Sequence, residues 1–236
     1  MRGLRSFPPG GTAAIIGASG AIGGAVADAV EASGAFARTV RLSRRTDPPL
    51  DLADEASIEA AAALLKDGPP LRLVFCATGF LHGDGLMPEK SLRRITAEGL
   101  ERNFRVNAIG PALLLKHLCP LLPREGRSVL AIVTAKVGSI ADNGLGGWYS
   151  YRASKAAQNQ LVRTASIEVA RTRPESVLIA LHPGTVASEL SEPFGKDGLT
   201  VRPPAESAAA MLNVVVGLTP ADTGTFRGYD GATIPW

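Results

Sequence analysis

Apolar positions along the chain alternate between two patterns. Short continuous runs appear at 12–16 (TAAII), 38–42, 71–77 (LRLVFCA), 129–134 (VLAIVT) and 177–181 (VLIAL), each bounded by glycine, polar or charged residues. Between them, residues 22–32, 53–66, 96–122, 148–171 and 204–216 carry apolar residues at helical spacing, the third being broken near Gly110-Pro111. Runs that are apolar throughout belong to strands covered on both faces, and helices inserted between such strands cover them by right-handed crossovers. The pattern therefore predicts an α/β fold, a Rossmann-type doubly wound parallel sheet with helices on both faces. No repeat or low-complexity linker interrupts it, so a single domain over 1–236 is expected, with a small substrate-binding loop region at about 186–203.

Composition narrows the class. The 236 residues are 45% hydrophobic and 20% charged, as in globular domains, which sets aside disordered and fibrous chains. No uninterrupted apolar stretch reaches the ~18 residues a membrane span needs, so no membrane association is expected. The net charge of +3 is spread without a basic stripe, and no nucleic-acid partner is expected. Two cysteines, Cys76 and Cys119, make no disulfide framework, and residues 1–11 lack the apolar core of a secretory signal. Both features point to a cytoplasmic protein.

Candidate chemistry begins at the first strand-to-helix turn, Gly17-Ala-Ser19-Gly20-Ala-Ile22-Gly23. Glycines there let the backbone approach a pyrophosphate, whose charge meets unpaired amides at the helix start; the same glycines could serve only to pack helix on strand. No Gly-Lys-Ser/Thr follows, which excludes a P-loop. The second strand ends Leu42-Ser43-Arg44-Arg45. An acidic residue would suit the two ribose hydroxyls of NAD, whereas Ser43 and Arg44 suit a 2'-phosphate, so NADP(H) is expected to be preferred over NAD(H). The alternative is two arginines on a solvated turn. Asp51-Leu52 is placed to face adenine, although Asp51 could equally cap the next helix. Further along, Tyr151 and Lys155 are four residues apart in a predicted helix and share a face. A cation beside a phenol favours phenolate and would lower a pKa near 10, giving a tunable acid/base. No cluster suggests a metal.

Five ordered motifs, GASGAIG, CATG at 76–79, FRVNAIGP around Asn107, YRASK at 151–155 and HPGTVAS at 182–188, resemble the short-chain dehydrogenase/reductase superfamily over nearly the whole chain. The run VGSIADNGLGGWYSYRASKAA and the ending GYDGATIPW resemble its C-factor-like subgroup. The resemblance implies that Tyr151 is the acid/base, that Lys155 tunes it and holds the nicotinamide ribose, and that Asn107 organises a water relay to the lysine. It implies cofactor contacts from Gly17, Ser19, Gly20, Ile22 and Gly23, from Ala77 and Gly79 on the adenine side, and from Pro183, Gly184, Val186 and Ser188 around the carboxamide and phosphate. A homodimer or homotetramer is expected by the same analogy.

Three departures stand out. Ala21 replaces the middle glycine of the turn, with Gly20 one place earlier, which predicts a slightly reshaped loop. Cys76 replaces an asparagine that normally stabilises the sheet. The serine expected about thirteen residues before the tyrosine is missing: that count reaches Gly138, and the strand end offers Thr134-Ala135. Ser139 is the candidate hydroxyl donor and Thr134 the fallback, with Ser139 as a plain turn residue the remaining possibility. The expectation is an NADP-dependent reductase or dehydrogenase acting on a small carbonyl or alcohol. The rival is a catalytically weak cofactor-binding signalling or regulatory protein. An epimerase or dehydratase is disfavoured by the short tail after Val186. Residues 80–87, 143–148 and 189–201 would set specificity, with 191–200 a candidate lid.

Overall fold

A computed structural model describes residues 2–194, 198 and 200–236. Its centre is a six-stranded, wholly parallel sheet built from β1 (Thr12–Ile16), β2 (Arg38–Leu42), β3 (Leu71–Cys76), β4 (Ser128–Val133), β5 (Ser176–His182) and a later edge strand. A two-residue ladder joins β6 (Thr185–Val186) to β7 (Val201–Arg202), and the edge strand is β8 (Thr225–Gly228). The order in the main sheet is β2-β1-β3-β4-β5-β8.

The helices are α1 (Ala21–Ser33), α2 (Glu55–Lys66), α3 (Ala97–Phe104), α4 (Gly110–Leu118), α5 (Tyr149–Ala170) and α6 (Pro204–Gly217). Alternate residues of each strand feed two separate cores. Ala13, Ile15, Phe75, Ala131 and Ile179 pack with Val26 and Val30 of α1 and with Met211 and Val215 of α6. Ala14, Ile16, Val74, Ile132 and Ala180 pack on the opposite face with Ile58 of α2, Leu118 of α4 and Val162 of α5. Both faces are covered, which is why the strands read as unbroken apolar runs.

The boundaries of the expected elements follow the pattern to within a residue or two; the differences are one broken helix and three strands outside the expected runs, the short β6 and β7 and the edge strand β8. The expected helix at 96–122 is four pieces: α3, a π turn at Arg105–Ile109, α4, and a 3-10 turn at Cys119–Leu121. The irregularity thus precedes Gly110-Pro111, because Pro111 sits in the first turn of α4, where its missing N–H is not needed. The strand β8 was not expected. It is four residues long, has a single neighbour, and buries only every second residue, so it carries no continuous apolar signal.

Strand order reverses between β1, whose next strand in sequence lies on one side, and β3, which lies on the other. Such a switch point opens a crevice at the carboxyl ends of the strands. The ends of the expected substrate loop are pinned together by the β6–β7 ladder and by the Ala187 N–H donating to Arg202 O at 3.0 Å. Of the candidate lid, Gly195, Lys196, Asp197 and Leu199 lie outside the described residues. Among the described residues no helix is long and apolar enough to cross a membrane.

Candidate active site

The glycine turn lines the crevice. Gly17 has φ +82°, and a Cβ there would lie 2.6 Å from the carbonyl oxygen of Ala77 at the end of β3, so both conformation and space demand glycine. A Cβ on Gly23 would collide with the Gly17 carbonyl, which brings α1 directly against the turn. Gly20 is the N-cap of α1, in extended conformation and without a side-chain cap, so the first N–H groups of the helix are left for a ligand or water. Ala21 is the first residue of α1. Ser19, Gly20 and Ala21 are exposed there. These features fit a pyrophosphate.

At the end of β2, Ser43 is buried and its Oγ accepts from the Arg45 N–H at 3.1 Å, while its own N–H donates to Thr46 Oγ1 at 2.9 Å. Ser43 therefore organises the turn, and Arg44 and Arg45 stand exposed on it. Asp51 does not cap α2. Its Oδ1 accepts from Ala53 N at 2.9 Å in a local turn, and the cap is Asp54, which accepts from Ala56 N at 3.0 Å. Leu52 is buried against the start of α4 at Gly110.

Beyond β3, Ala77 N donates to Ile16 O at 2.8 Å, and Cys76 Sγ lies 3.2 Å from Thr78 Oγ1 in the place of the expected asparagine. Asn107 sits in the π turn, and that geometry aims its amide at the backbone after β3. It accepts from Phe80 N at 2.8 Å and donates to Phe80 O at 2.7 Å and Ser154 Oγ at 3.1 Å. Its side chain is thus committed to protein partners and stitches α5 to the β3 loop. A Cβ on Gly79 would lie 3.7 Å from both Asn107 Oδ1 and Lys155 Nζ, so these groups converge on one spot.

Tyr151 and Lys155 do share the buried face of α5, with side chains almost wholly enclosed. Lys155 Nζ donates to Val133 O at 3.2 Å and to Gln158 Oε1 at 2.8 Å, and lies 6.0 Å from the centroid of the Tyr151 ring. Burial lowers the lysine to about 8. The expected lowering of the phenol is not found: burial pushes Tyr151 well above its ordinary value, and no ammonium contribution offsets it. At this distance desolvation wins, and the phenol keeps its proton.

Thr134, the fallback hydroxyl, is turned toward α5, where Oγ1 donates to Asn159 Oδ1 at 2.8 Å. Ala135 is partly accessible just beyond β4. A 3-10 turn, Lys136–Gly138, leads from there to Ser139. A Cβ on Gly138 would meet the Lys155 side chain at 2.8 Å, so this turn rests on the lysine. Ser139 Oγ is buried and accepts from Asp142 N at 3.1 Å, which leaves its proton free to donate.

After β5, Gly184 has φ +78° and sits on the Tyr229 ring, and Ser207 Oγ donates to Pro183 O at 2.8 Å. Val186 is buried in β6, and Ser188 Oγ lies 3.4 Å from Val186 O. His182, which the sequence reading did not single out, accepts on Nδ1 from Lys136 N at 3.3 Å, and burial holds it down near 4. The three segments expected to set specificity meet in one aromatic row. Trp148 lies edge-on to Tyr151 with centroids 6.2 Å apart and 5.0 Å from Phe194, which in turn is 5.5 Å from His82.

A family profile described as Enoyl-(Acyl carrier protein) reductase matches residues 17–211, and 1-hydroxy-2-glutathionyl-2-methyl-3-butene dehydrogenase of Rhodococcus sp. (strain AD45) is 35% identical over 191 residues, 80% of each chain. The chain belongs to the short-chain dehydrogenase/reductase family. Similarity to C-signal of Myxococcus xanthus, 38% identical over 138 residues (58% of this chain, 78% of the relative), supports the C-factor-like subgroup. Among solved structures, a short-chain dehydrogenase/reductase from Burkholderia multivorans with bound NADP is 26% identical, with TM-score 0.79 over 97% of this chain and all of that one. The NADPH-bound carbonyl reductase from chicken fatty liver shares the fold at TM-score 0.83, covering 97% of this chain and 100% of its own, at 24% identity.

Sequence reasoning missed Glu89, Asn103, Ser154, Gln158 and Asn159, all buried around the site. Asn103 lies one turn from Asn107, Gln158 and Asn159 one turn from Lys155, and Ser154 one turn from Tyr151, so helical spacing could have found these four. Glu89 has no such signal.

Proposed function

We propose that this protein is an NADP(H)-preferring short-chain oxidoreductase that reduces a small carbonyl compound or oxidises the corresponding alcohol. The single observation that carries the reading is the convergence of Tyr151, Lys155, Asn107 and Gly79 beside a glycine turn whose geometry tolerates no larger residue at positions 17 and 23. Bound at the switch point, a nicotinamide cofactor would supply and accept the hydride.

The chain's own residues handle the rest. Gly17, Ser19, Gly20, Ile22 and Gly23 receive the pyrophosphate. Arg44, on the turn that Ser43 organises, meets a 2'-phosphate; Asp51, the backbone at Leu52, and Ala77 flank the adenosine; and Gly79, beside Lys155 Nζ, faces the next stretch of the cofactor toward the nicotinamide ribose. Pro183, Gly184, Val186 and Ser188 hold the carboxamide end. Tyr151, kept protonated by burial, donates its proton to the carbonyl oxygen as negative charge develops there. Lys155 then stabilises the phenolate left behind and Asn107 holds α5 in register with the cofactor loop. Ser139 donates to the same oxygen.

Two buried free cysteines suit a reducing compartment, so we place the protein in the cytoplasm. The apolar groove between α4 and α5, where Phe104, Ile109, Leu113 and Leu161 reach the surface, serves as the contact of a homodimer or homotetramer.

The test is NADPH oxidation followed at 340 nm against a panel of aldehydes and ketones. Tyr151→Phe should cut kcat by about 100-fold or more while leaving NADPH binding intact, and Ser139→Ala should lower kcat more than Thr134→Val does. One observation favours the rival reading of a regulatory protein with weak turnover: Ala135, not a hydroxyl residue, occupies the accessible position after β4. Tight NADPH binding with no turnover across the panel would establish that rival.

A further inference from the structure

A buried carboxylate outside the machinery described so far sits at the start of the helix that bears Tyr151. Glu89 belongs to the loop after β3, in a Pro-Glu-Lys-Ser stretch that reads as a solvated turn, yet it is 7% exposed. Its Oε2 accepts from the Ser150 N–H at 3.1 Å, its Oε1 accepts from the Ser150 hydroxyl, and its backbone oxygen accepts from the Trp148 N–H. Ser150 is the second residue of α5. Helix α5 has no cap of its own, because the residue before it, Trp148, enters in the left-handed conformation (φ +52°) and offers no side-chain acceptor. Glu89 does from another segment what an N-cap side chain does locally, satisfying an orphan N–H of the first turn. The anionic group also meets the positive end of a 22-residue helix.

The same carboxylate reaches a second helix. A Cβ on Gly99, in the first turn of α3, would lie 3.4 Å from Glu89 Oε1, and α3 runs on into the π turn that carries Asn107. One side chain therefore links the starts of the two helices that bear the converging site groups.

We propose that Glu89 is a positioning residue: by capping α5 from outside and bracing it against α3, it sets the axial placement of Tyr151 next to the bound carbonyl. This rests on the reductase reading for its kinetic readout, and not for its structural one. A side chain of this length with an acceptor for the Ser150 N–H is required; its second polar atom only has to pair with the Ser150 hydroxyl, which can accept as well as donate. Gln keeps one acceptor at the right distance, Asp falls a methylene short, and Ala leaves the Ser150 N–H without a partner.

The experiment compares wild type with Glu89→Gln, Glu89→Asp and Glu89→Ala in steady-state kinetics, NADPH affinity by fluorescence titration, and hydrogen exchange of peptides covering 148–155 and 21–33. The expected result is a kcat reduced about tenfold or more in the Ala and Asp variants with KM and NADPH affinity within about twofold, recovery toward wild type in the Gln variant, and faster exchange confined to 148–155. Loss of NADPH affinity in step with kcat, or unchanged exchange at 148–155, would overturn the proposal. Should Glu89→Ala fail to fold, the Gln and Asp variants decide by the same criteria. If wild type itself shows no turnover, the reductase reading fails separately, and exchange at 148–155 still settles whether Glu89 holds the turn that carries Tyr151.

Discussion

Replacing Lys155 by Met tests the electrostatic core of this site without any substrate. Lys155 is buried to 2% exposure and its ammonium is held at about 8, below the 10.5 of an unhindered lysine. Because the folded value is the lower one, the unfolded chain binds more protons between pH 8 and 10.5. Stability therefore rises with pH through that window, and the penalty is fully present below it. Two and a half units correspond to about 3 kcal/mol at neutral pH, of which about 1.3 kcal/mol is recovered between pH 7 and pH 9. The interval lies above the His182 transition, but Cys76 and Cys119, raised by burial, oppose the lysine within it: their unfolded thiols ionise there and lower stability equally in both proteins, so only the difference between the proteins reports Lys155. The bonds to Val133 O and Gln158 Oε1 make the absolute effect of the substitution ambiguous, but the difference in pH slope isolates the ammonium. Urea unfolding of cofactor-free protein, followed by tryptophan fluorescence at pH 7 and pH 9, should show the change in stability of wild type to be more favourable than that of Lys155→Met by about 1 kcal/mol. An equal change in both proteins, or a more favourable change in Lys155→Met, would refute the account of Lys155 as a desolvated cation.

Arg44→Asp should shift the ratio of NADP to NAD affinity by about tenfold or more, measured by titration with each nucleotide; an unchanged ratio would remove the 2'-phosphate reading. Gly23→Ala should lower Tm and weaken NADPH binding, since its methyl group meets the Gly17 backbone, whereas Gly24→Ala, whose Cβ would lie 3.3 Å from Ala18 O, should bind nearly as wild type does. His182 is held near 4, so its neutral form contributes stability that is lost as pH falls from about 6.5 toward 4. Acid titration of Tm should be visibly shallower in His182→Asn, which keeps an acceptor for the Lys136 N–H; superimposable titrations would count against that assignment.

Two opposing effects meet at the phenol of Tyr151. Proximity of an ammonium on the same helix face argues for a phenolate, and enclosure in the core argues for a neutral phenol. At 6.0 Å from ring centroid to Nζ, with the ammonium spending its protons on Val133 O and Gln158 Oε1, enclosure prevails. A neutral phenol is the form that can donate a proton to a carbonyl oxygen.

Local pattern determined most of the architecture. Continuous apolar runs at β1, β3, β4 and β5 and helical spacing between them specify a covered parallel sheet, because no other arrangement buries both faces of such strands. The glycine turn and the Tyr151/Lys155 pair were equally legible, since their chemistry lies in residues a few positions apart. Tertiary structure alone decided what depends on distant segments. Whether β8 completes the sheet is set by the free edge of β5, which four weakly patterned residues cannot announce. Thr134 is diverted to Asn159, and Glu89 is drawn inward to cap a helix sixty residues away. Hydrogen-bond partners and desolvation arise between elements rather than within them, and no spacing rule along one chain records where two elements will meet.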